Sequence, residues 1–115
     1  MWKWVPFGSV PELDARALAR ALAAKDPPFV LDVRTTVEFA QSHIEGARNI
    51  PITELAGRAS ELDGLEARVV VAICLSAHRS IPAVRLLRER GFRDVRQLAG
   101  GMLAWWARGL PTHKR

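Results

Sequence analysis

A run of five consecutive apolar residues, Val69–Ile73, constrains the fold more than any other part of this sequence. Most of these residues are β-branched and a polar loop follows them, which is typical of a β-strand. Because the run is continuous rather than alternating, it favours a parallel strand covered on both faces. The run ends at Cys74, the one cysteine of the chain. In open α/β sheets, ligands bind at the carboxyl ends of strands, so the segment after this run is the candidate active site.

A helix is predicted directly after that segment, over Ile81–Gly91. Its apolar side chains recur at three-residue spacing, at Ile81, Val84 and Leu87. We expect Ser80 to cap the first turn and Gly91 to take the left-handed conformation that often ends a helix. Cys74 is therefore expected where a short loop joins a buried strand to a helix.

The predicted surroundings of Cys74 are those of a nucleophile. The thiolate is the reactive form of cysteine, and a helix N-terminus or a nearby cation stabilises it. Cys74 is expected to have both, since a helix opens at Ser80 and Arg79 precedes it. A short loop around the sulfur would also direct backbone N–H groups inward and form an anion-binding bowl. A lone cysteine is more often a small buried apolar residue, but the strand-to-helix position favours the nucleophile.

Three groups of motifs, taken together, resemble the rhodanese family of sulfurtransferases over nearly the whole chain. The segment Cys74–Ser80 resembles the active-site loop of the family. The first half of the family pattern is matched by Leu31–Arg34, Glu38–Phe39 and His43–Pro51, and the closing segment by Leu98–Met102 with Trp105. Each motif alone is a weak signal, but their order along the chain is specific.

The resemblance implies an α/β protein with a three-layer rhodanese-like fold, in which a central, mainly parallel five-stranded sheet has helices on both faces. It also implies ping-pong sulfur transfer through a persulfide on Cys74, with no cofactor. The residues expected to form the anion-binding loop are Leu75, Ser76, Ala77, His78, Arg79 and Ser80. Arg79 is expected to hold the loop in shape and to add positive potential.

Asp32 and Arg34 are candidate supporting residues for the same site. They fall at or near the carboxyl end of a second predicted strand, Phe29–Val33, at the edge where Cys74 is expected. The residues alone leave two interpretations open, support of the site or a surface ion pair, and the resemblance favours support. His43 is interpreted as a structural hydrogen-bonding residue, because sulfur transfer needs no dedicated base.

The chain departs from the family pattern at two positions of the loop. Leu75 stands where the family often has a basic residue, and Ala77 stands where it commonly has glycine. Without a cation at Leu75, Ser76 or Ala77, we expect weak binding of thiosulfate and relatively better use of persulfide donors. A residue with a Cβ is also strained at a positive φ, so Ala77 is expected to be costly if the loop requires that conformation.

The remaining elements are predicted from apolar periodicity and from turn residues. Strands are predicted at Ser9–Val10, Arg48–Ile50 and Asp94–Leu98, and helices over Pro11–Ala24, over 52–63 with an interruption at Gly57, and over Met102–Arg108. Leu13, Ala17, Leu18, Ala21 and Leu22 are expected to face inward from the first helix. A capping box at Thr35–Glu38 predicts a short helix. We expect one domain over 1–115, with an irregular segment 1–8 and a polar tail 112–115.

Composition excludes several classes of function. One cysteine excludes an internal disulfide, and no His/Cys cluster has the spacing of metal ligands. The net charge of +5 comes from scattered arginines without an aromatic platform, which favours a basic surface that attracts small anions over a nucleic-acid site. The sequence has neither a transmembrane run nor the features of a signal peptide, so we expect a cytoplasmic protein without a membrane partner.

Three functions remain open. The first is a sulfurtransferase that takes sulfur from a small anionic or persulfide donor and passes it to cyanide, a thiol or a sulfur-accepting protein. The second is a phosphatase or arsenate reductase of the cysteine–arginine type, whose loop is one residue longer than the four residues between Cys74 and Arg79. The third is a non-catalytic binding module, because the fold alone does not decide function.

Overall fold

The computed structural model of the chain describes residues 10–114. Its strands are β1 (Glu12–Leu13), β2 (Phe29–Asp32), β3 (Arg48–Asn49), β4 (Val69–Ile73) and β5 (Asp94–Leu98). Its α-helices are α1 (Ala15–Leu22), α2 (Thr36–Gln41), α3 (Ile52–Arg58), α4 (Ser80–Glu89) and α5 (Gly101–Ala107), and a 3-10 helix spans Ala59–Leu62. No helix within 10–114 is long and apolar enough to cross a membrane.

The five strands form one sheet in the order β1-β5-β4-β2-β3, and every pairing between neighbours is parallel. This confirms the predicted α/β architecture with a five-stranded parallel sheet. β4 lies in the middle, between β5 and β2. The segment that follows β4 therefore leaves the centre of the carboxyl edge of the sheet, where loops from both neighbouring strands also end.

The alternation of side chains along β4 explains why its sequence is apolar throughout. Val70, Ala72 and Cys74 belong to one buried cluster, which α3 and α4 cover. Val71 and Ile73 belong to a second cluster on the opposite face, which α1 and α5 cover. Successive strand residues point to opposite faces, so a strand covered on both faces needs apolar residues at every position.

The start of the chain differs from the sequence prediction. The helix predicted over Pro11–Ala24 begins only at Ala15, because the preceding residues pair with β5 as an edge strand. The carbonyl of Pro11 accepts from the Gln97 N–H, and the carbonyl of Leu13 accepts from the Ala99 N–H. The predicted strand Ser9–Val10 was wrong at Val10, which lies in no strand.

The Asp14 carboxylate caps the first helix by accepting the Ala17 N–H at 2.8 Å. The helix ends at Leu22, which with Leu13 is partly buried, and Leu18 is fully buried. Residues 1–9 and 115, which include the predicted irregular segment, lie outside the described part of the chain.

Two helices further along differ in detail. α3 passes through Gly57 without interruption and continues into the 3-10 helix, since one glycine in a helix costs only about 0.5–1 kcal/mol relative to alanine. α5 begins at Gly101, one residue before the predicted start.

The predicted capping box is present at the start of α2. The Thr35 hydroxyl accepts the Glu38 N–H, and the Glu38 carboxylate accepts the Thr35 N–H.

His43 and the consecutive tryptophans Trp105 and Trp106 make contacts that hold the fold together. His43 Nδ1 lies 2.7 Å from the Phe39 carbonyl, and the His43 backbone pairs with His113 in an antiparallel bridge. Trp105 is buried between α5 and the sheet, whereas Trp106 is 38% exposed and its ring N–H donates to the Ser42 hydroxyl at 3.0 Å. The backbone of the predicted polar tail is thus held to the domain at His113.

Candidate active site

Cys74 follows directly after β4, at the carboxyl edge of the sheet. Its thiol is free, and the residue is only 1% exposed. The first turn of α5 holds the backbone at this point, because the Met102 N–H donates to the Cys74 carbonyl at 2.9 Å and the Leu103 N–H donates to the Leu75 carbonyl at 3.0 Å. Cys74 is therefore fixed from the side of α5 as well as by the sheet.

Ala77 supplies the backbone donor that faces the sulfur. Its N–H donates to Cys74 Sγ at 2.8 Å, and its φ is +93°. A left-handed conformation costs a residue with a Cβ about 1–2 kcal/mol. Ala77, which stands where the family commonly has glycine, therefore adopts the strained conformation. In this conformation its N–H faces the sulfur.

Ser80 is buried beside the sulfur rather than serving as the helix cap. Arg79 is the N-cap of α4, without a side-chain capping bond, and Ser80 is the first residue inside the helix. The Ser80 Oγ lies 3.5 Å from Cys74 Sγ and donates to Gln97 Oε1 at 2.6 Å. The predicted capping role of Ser80 was wrong. Its hydroxyl faces the sheet instead, where Gln97 of β5 accepts its hydrogen bond.

Gln97 and Glu12 extend this contact to the edge of the sheet, and sequence reasoning missed both. The Gln97 Nε2 donates to Glu12 Oε2 at 2.8 Å, and Gln97 itself is buried. A glutamine near the carboxyl end of the predicted strand Asp94–Leu98 was the available signal. Its two partners are 17 and 85 positions away in the chain, so no local pattern could identify them.

The Arg79 side chain is ion-paired with Glu38 of α2. Its guanidinium contacts the Glu38 carboxylate at 2.8 and 3.1 Å. The hydrogen bond from Arg79 is the main cause that lowers the pKa of Glu38 to about 2, and hydrogen bonds from Thr35 add to it. The same carboxylate raises the pKa of Arg79, with smaller contributions from Cys74 and Asp32. Arg79 therefore fastens the loop to α2 while its charge is largely balanced.

Asp32 and Arg34 form a buried ion pair next to this contact. Both are 1% exposed, and the Arg34 guanidinium donates to the Asp32 carboxylate through Nε at 3.0 Å and Nη2 at 2.7 Å. Arg34 also donates to the carbonyls of Ser42 and Glu38, at 2.7 and 3.4 Å. Among the described hydrogen bonds neither residue contacts Cys74. They hold the end of β2 to α2, which presents Glu38 to Arg79.

The other loop residues lie at the mouth of the site. Ser76 and His78 are exposed and contact each other at 3.3 Å, while Leu75 is half-buried. A groove of about 550 Å³ adjoins the loop at His78 and Arg79. Its apolar lining consists of Ile52, Ile81, Pro82 and Leu86.

A second cavity, of about 570 Å³, lies at the amino end of β2, where Phe29, Val30 and Trp105 line it. Because this is the opposite edge of the parallel sheet from Cys74, this cavity lies away from the candidate nucleophile. Within residues 10–114 no three His, Cys, Asp or Glu side chains are grouped so that they could hold a metal ion.

The ion pair between Glu38 and Arg79 predicts how stability changes with pH. Because the folded-state pKa of Glu38 is lowered from 4.5 to about 2, the pair stabilises the protein above that range, and the contribution is lost as the pH falls from 4.5 to about 2. Urea unfolding should show Glu38→Gln less stable than the parent at neutral pH, with the difference shrinking in acid. Glu45→Gln, which removes an exposed carboxylate, is the control. A difference that does not depend on pH would contradict this prediction.

Comparison with known proteins gives a consistent family. The family model described as Rhodanese-like domain matches residues 14–108. A protein named sulfurtransferase from Allochromatium vinosum is 36% identical over 102 residues, which cover 89% of this chain and 94% of that relative. The putative sulfur carrier protein YrkF of Bacillus subtilis is 34% identical over 97 residues, which cover 84% of this chain and 51% of YrkF.

Two other relatives are also longer, and this chain spans 51% of one and 36% of the other. Among solved structures, the Alr3790 protein from Anabaena sp. is similar with a TM-score of 0.80 and 36% identity. The similarity covers 90% of this chain and 82% of that one.

Proposed function

Because the chain belongs to the rhodanese-like domain family, we propose that it is a sulfurtransferase that carries sulfur as a persulfide on Cys74. The observation that supports this most strongly is the N–H of Ala77, which donates to Cys74 Sγ at 2.8 Å. A hydrogen bond to a charged acceptor is stronger than one to a neutral acceptor, so this amide favours the thiolate and, after sulfur transfer, the persulfide anion. The N-terminus of α4 adds to the same effect.

The proposed reaction has two steps. In the first, the Cys74 thiolate attacks the terminal sulfur of a donor, and an S–S bond to Sγ forms. The bond between that sulfur and the rest of the donor breaks, and its electron pair leaves with sulfite, from thiosulfate, or with a thiolate, from a persulfide. In the second step, cyanide or a thiol attacks the terminal sulfur and Cys74 departs as the thiolate. No external oxidant, reductant or cofactor is needed.

We propose that persulfides are better donors for this site than thiosulfate. Leu75 is half-buried and uncharged, and the charge of Arg79 is balanced by Glu38 at 2.8 Å. A dianion such as thiosulfate therefore gains little from these loop residues. The apolar groove beside His78 could accommodate the carbon skeleton of a thiol-borne donor. A sulfur-accepting protein remains a candidate acceptor, and a cytoplasmic location fits a free reactive thiol, which persists in a reducing compartment.

A charge introduced at the mouth tests the donor preference. Leu75→Arg should lower the KM for thiosulfate up to about fivefold with little change in kcat, because an exposed ion pair contributes about 0.2–1 kcal/mol and acts on ground and transition states alike. Leu75→Met is the matched uncharged control. An unchanged KM in Leu75→Arg, or saturation of the parent protein at low thiosulfate, would show that Leu75 does not limit donor choice.

The phosphatase or arsenate reductase alternative is not favoured. That class needs a longer loop, whereas four residues separate Cys74 from Arg79 here. The Arg79 guanidinium is also engaged by the Glu38 carboxylate at 2.8 and 3.1 Å, which leaves less of its charge for an oxyanion. The experiment that tests the proposed sulfurtransferase function supplies thiosulfate or an organic persulfide together with cyanide and measures the thiocyanate formed. Thiocyanate should form, whereas a binding module would produce none and a phosphatase would hydrolyse an aryl phosphate instead.

A further inference from the structure

A chain of hydrogen bonds connects Cys74 to an exposed carboxylate at the edge of the sheet. It runs from Cys74 Sγ to the Ser80 hydroxyl at 3.5 Å, from there to Gln97 Oε1 at 2.6 Å, and from Gln97 Nε2 to Glu12 Oε2 at 2.8 Å. Cys74, Ser80 and Gln97 are buried, with exposed fractions of 1%, 0% and 4%, while Glu12 is exposed. Cys74 directly follows β4, and Ser80, Gln97 and Glu12 come from α4, β5 and β1, so the hydrogen bonds lead from the central strand to the edge strand of the sheet.

The direction of these hydrogen bonds favours a protonated sulfur. A hydroxyl has one proton, and Ser80 donates it to Gln97 Oε1. The Ser80 oxygen can then only accept from Cys74, which requires the S–H form. A thiolate at Cys74 would receive the Ala77 N–H but no donor from Ser80. The resting arrangement therefore supplies one donor for the thiolate and one acceptor for the thiol.

Glu12 keeps Ser80 in this orientation through the Gln97 amide. If the amide turned over, its NH₂ group would donate to Ser80 and release the hydroxyl proton to Cys74. That turn would place Oε1 of Gln97 against Glu12 Oε2, where the present contact is 2.8 Å, so two acceptors would meet. If Ser80 turned alone, the buried Gln97 oxygen would lose its donor, which costs about 1–3 kcal/mol. The turn of the amide is thus opposed while Glu12 is ionised, and the turn of Ser80 alone is opposed whatever the charge of Glu12.

We propose that Glu12 is a positioning residue that, through Gln97 and Ser80, holds Cys74 as the thiol in the resting protein. Loss of the Glu12 charge lets the Gln97 amide turn and raises the fraction of reactive thiolate. A larger thiolate fraction should also speed the formation of the persulfide, and this consequence rests on the proposed function of Cys74. The effect on the reactivity of the thiol does not.

Of the other charged side chains around Cys74, those of Arg79, Asp32 and Arg34 are ion-paired. The loop carries His78 at its exposed side and Arg79, which Glu38 of α2 balances. From β2, Asp32 is paired with Arg34. The first turn of α5, at Met102 and Leu103, contributes only backbone contacts to Cys74 and Leu75. Within 10–114, no ion pair to Glu12 is found, and its described partner is Gln97.

The test measures the rate at which iodoacetamide alkylates Cys74 of the full chain, as a function of pH. Glu12→Gln should shift the profile toward lower pH and raise the rate on its acidic limb at least about fivefold, the change that corresponds to 1 kcal/mol. Gln97→Met should act in the same direction, because it frees the Ser80 hydroxyl. Glu45→Gln, which removes a carboxylate outside this chain of contacts, should leave the profile unchanged.

The double variants separate positioning from simple charge repulsion. If Glu12 acts through Gln97, then Glu12→Gln should have no further effect on the alkylation profile in Gln97→Met or in Ser80→Ala. A shift that persists undiminished in these backgrounds would overturn the proposal, as would an unchanged profile in Glu12→Gln. Alkylation needs no sulfur donor, so a protein that forms no persulfide but shows the predicted shift would contradict the proposed function alone.

Discussion

Replacement of Cys74 by serine is expected to reduce thiocyanate formation to the uncatalysed rate. A serine hydroxyl is not ionised near neutral pH and cannot form a persulfide, so both steps of the proposed reaction lose their nucleophile. The fold should tolerate the change, because the serine is close in size and its hydroxyl can contact Ser80, which now lies 3.5 Å from Sγ. Thermal unfolding of Cys74→Ser should therefore resemble that of the parent protein.

The matched control for this variant is Ser60→Ala, which alters an exposed side chain in the 3-10 helix. It should retain the full rate of thiocyanate formation. Activity of Cys74→Ser close to that of Ser60→Ala would contradict the assignment of Cys74. A loss of activity accompanied by loss of folding would instead require the rate to be measured on Cys74→Ala as well, and full activity there would contradict the assignment in the same way.

Gly101→Ala is expected to damage both stability and activity. Gly101 has a φ of +59°, and a Cβ at this position would lie 2.5 Å from the Cys74 carbonyl oxygen and from the Leu75 backbone. The positive φ costs about 1–2 kcal/mol, and overpacking a tight contact adds about 1–3 kcal/mol. Relief of the clash requires movement of the Cys74–Leu75 peptide, which positions the sulfur, so the rate of sulfur transfer should also fall.

Gly46→Ala provides the matched control for the strain alone. Gly46 has a similar positive φ of +85°, but a Cβ there would meet nothing within 4 Å. We expect urea unfolding to show a cost of about 1–2 kcal/mol for Gly46→Ala, with sulfur transfer unchanged. If both variants lost equal stability and both remained active, α5 would not hold the active-site peptide as described.

The elements around the active site were predictable because their signals are local. Val69–Ile73 and Asp94–Leu98 are strands with the predicted bounds. β1 could not be predicted, because two residues, Glu12 and Leu13, form a strand only by pairing with Gln97 and Leu98. The positive φ of Ala77 was expected to be costly, and the structure has alanine in that conformation.

The partners of the site residues were harder to predict than the residues themselves. Cys74 and its loop are contiguous in sequence, so one motif identifies them. Arg79 was expected to hold the loop, but its partner Glu38 lies 41 positions away, so the motif alone does not identify it. Such contacts follow from the order of strands and helices in space, which determines which side chains meet at the carboxyl edge.

Intact-mass measurement of the protein after exposure to a sulfane-sulfur donor tests the central claim most directly. With an organic persulfide or with concentrated thiosulfate, the protein should gain the mass of one sulfur atom, and peptide analysis should assign that sulfur to Cys74. Addition of cyanide should remove the added mass and release thiocyanate in equal amount. A protein that gains no sulfur from either donor, or one that gains the same mass after Cys74→Ser, would contradict the persulfide mechanism.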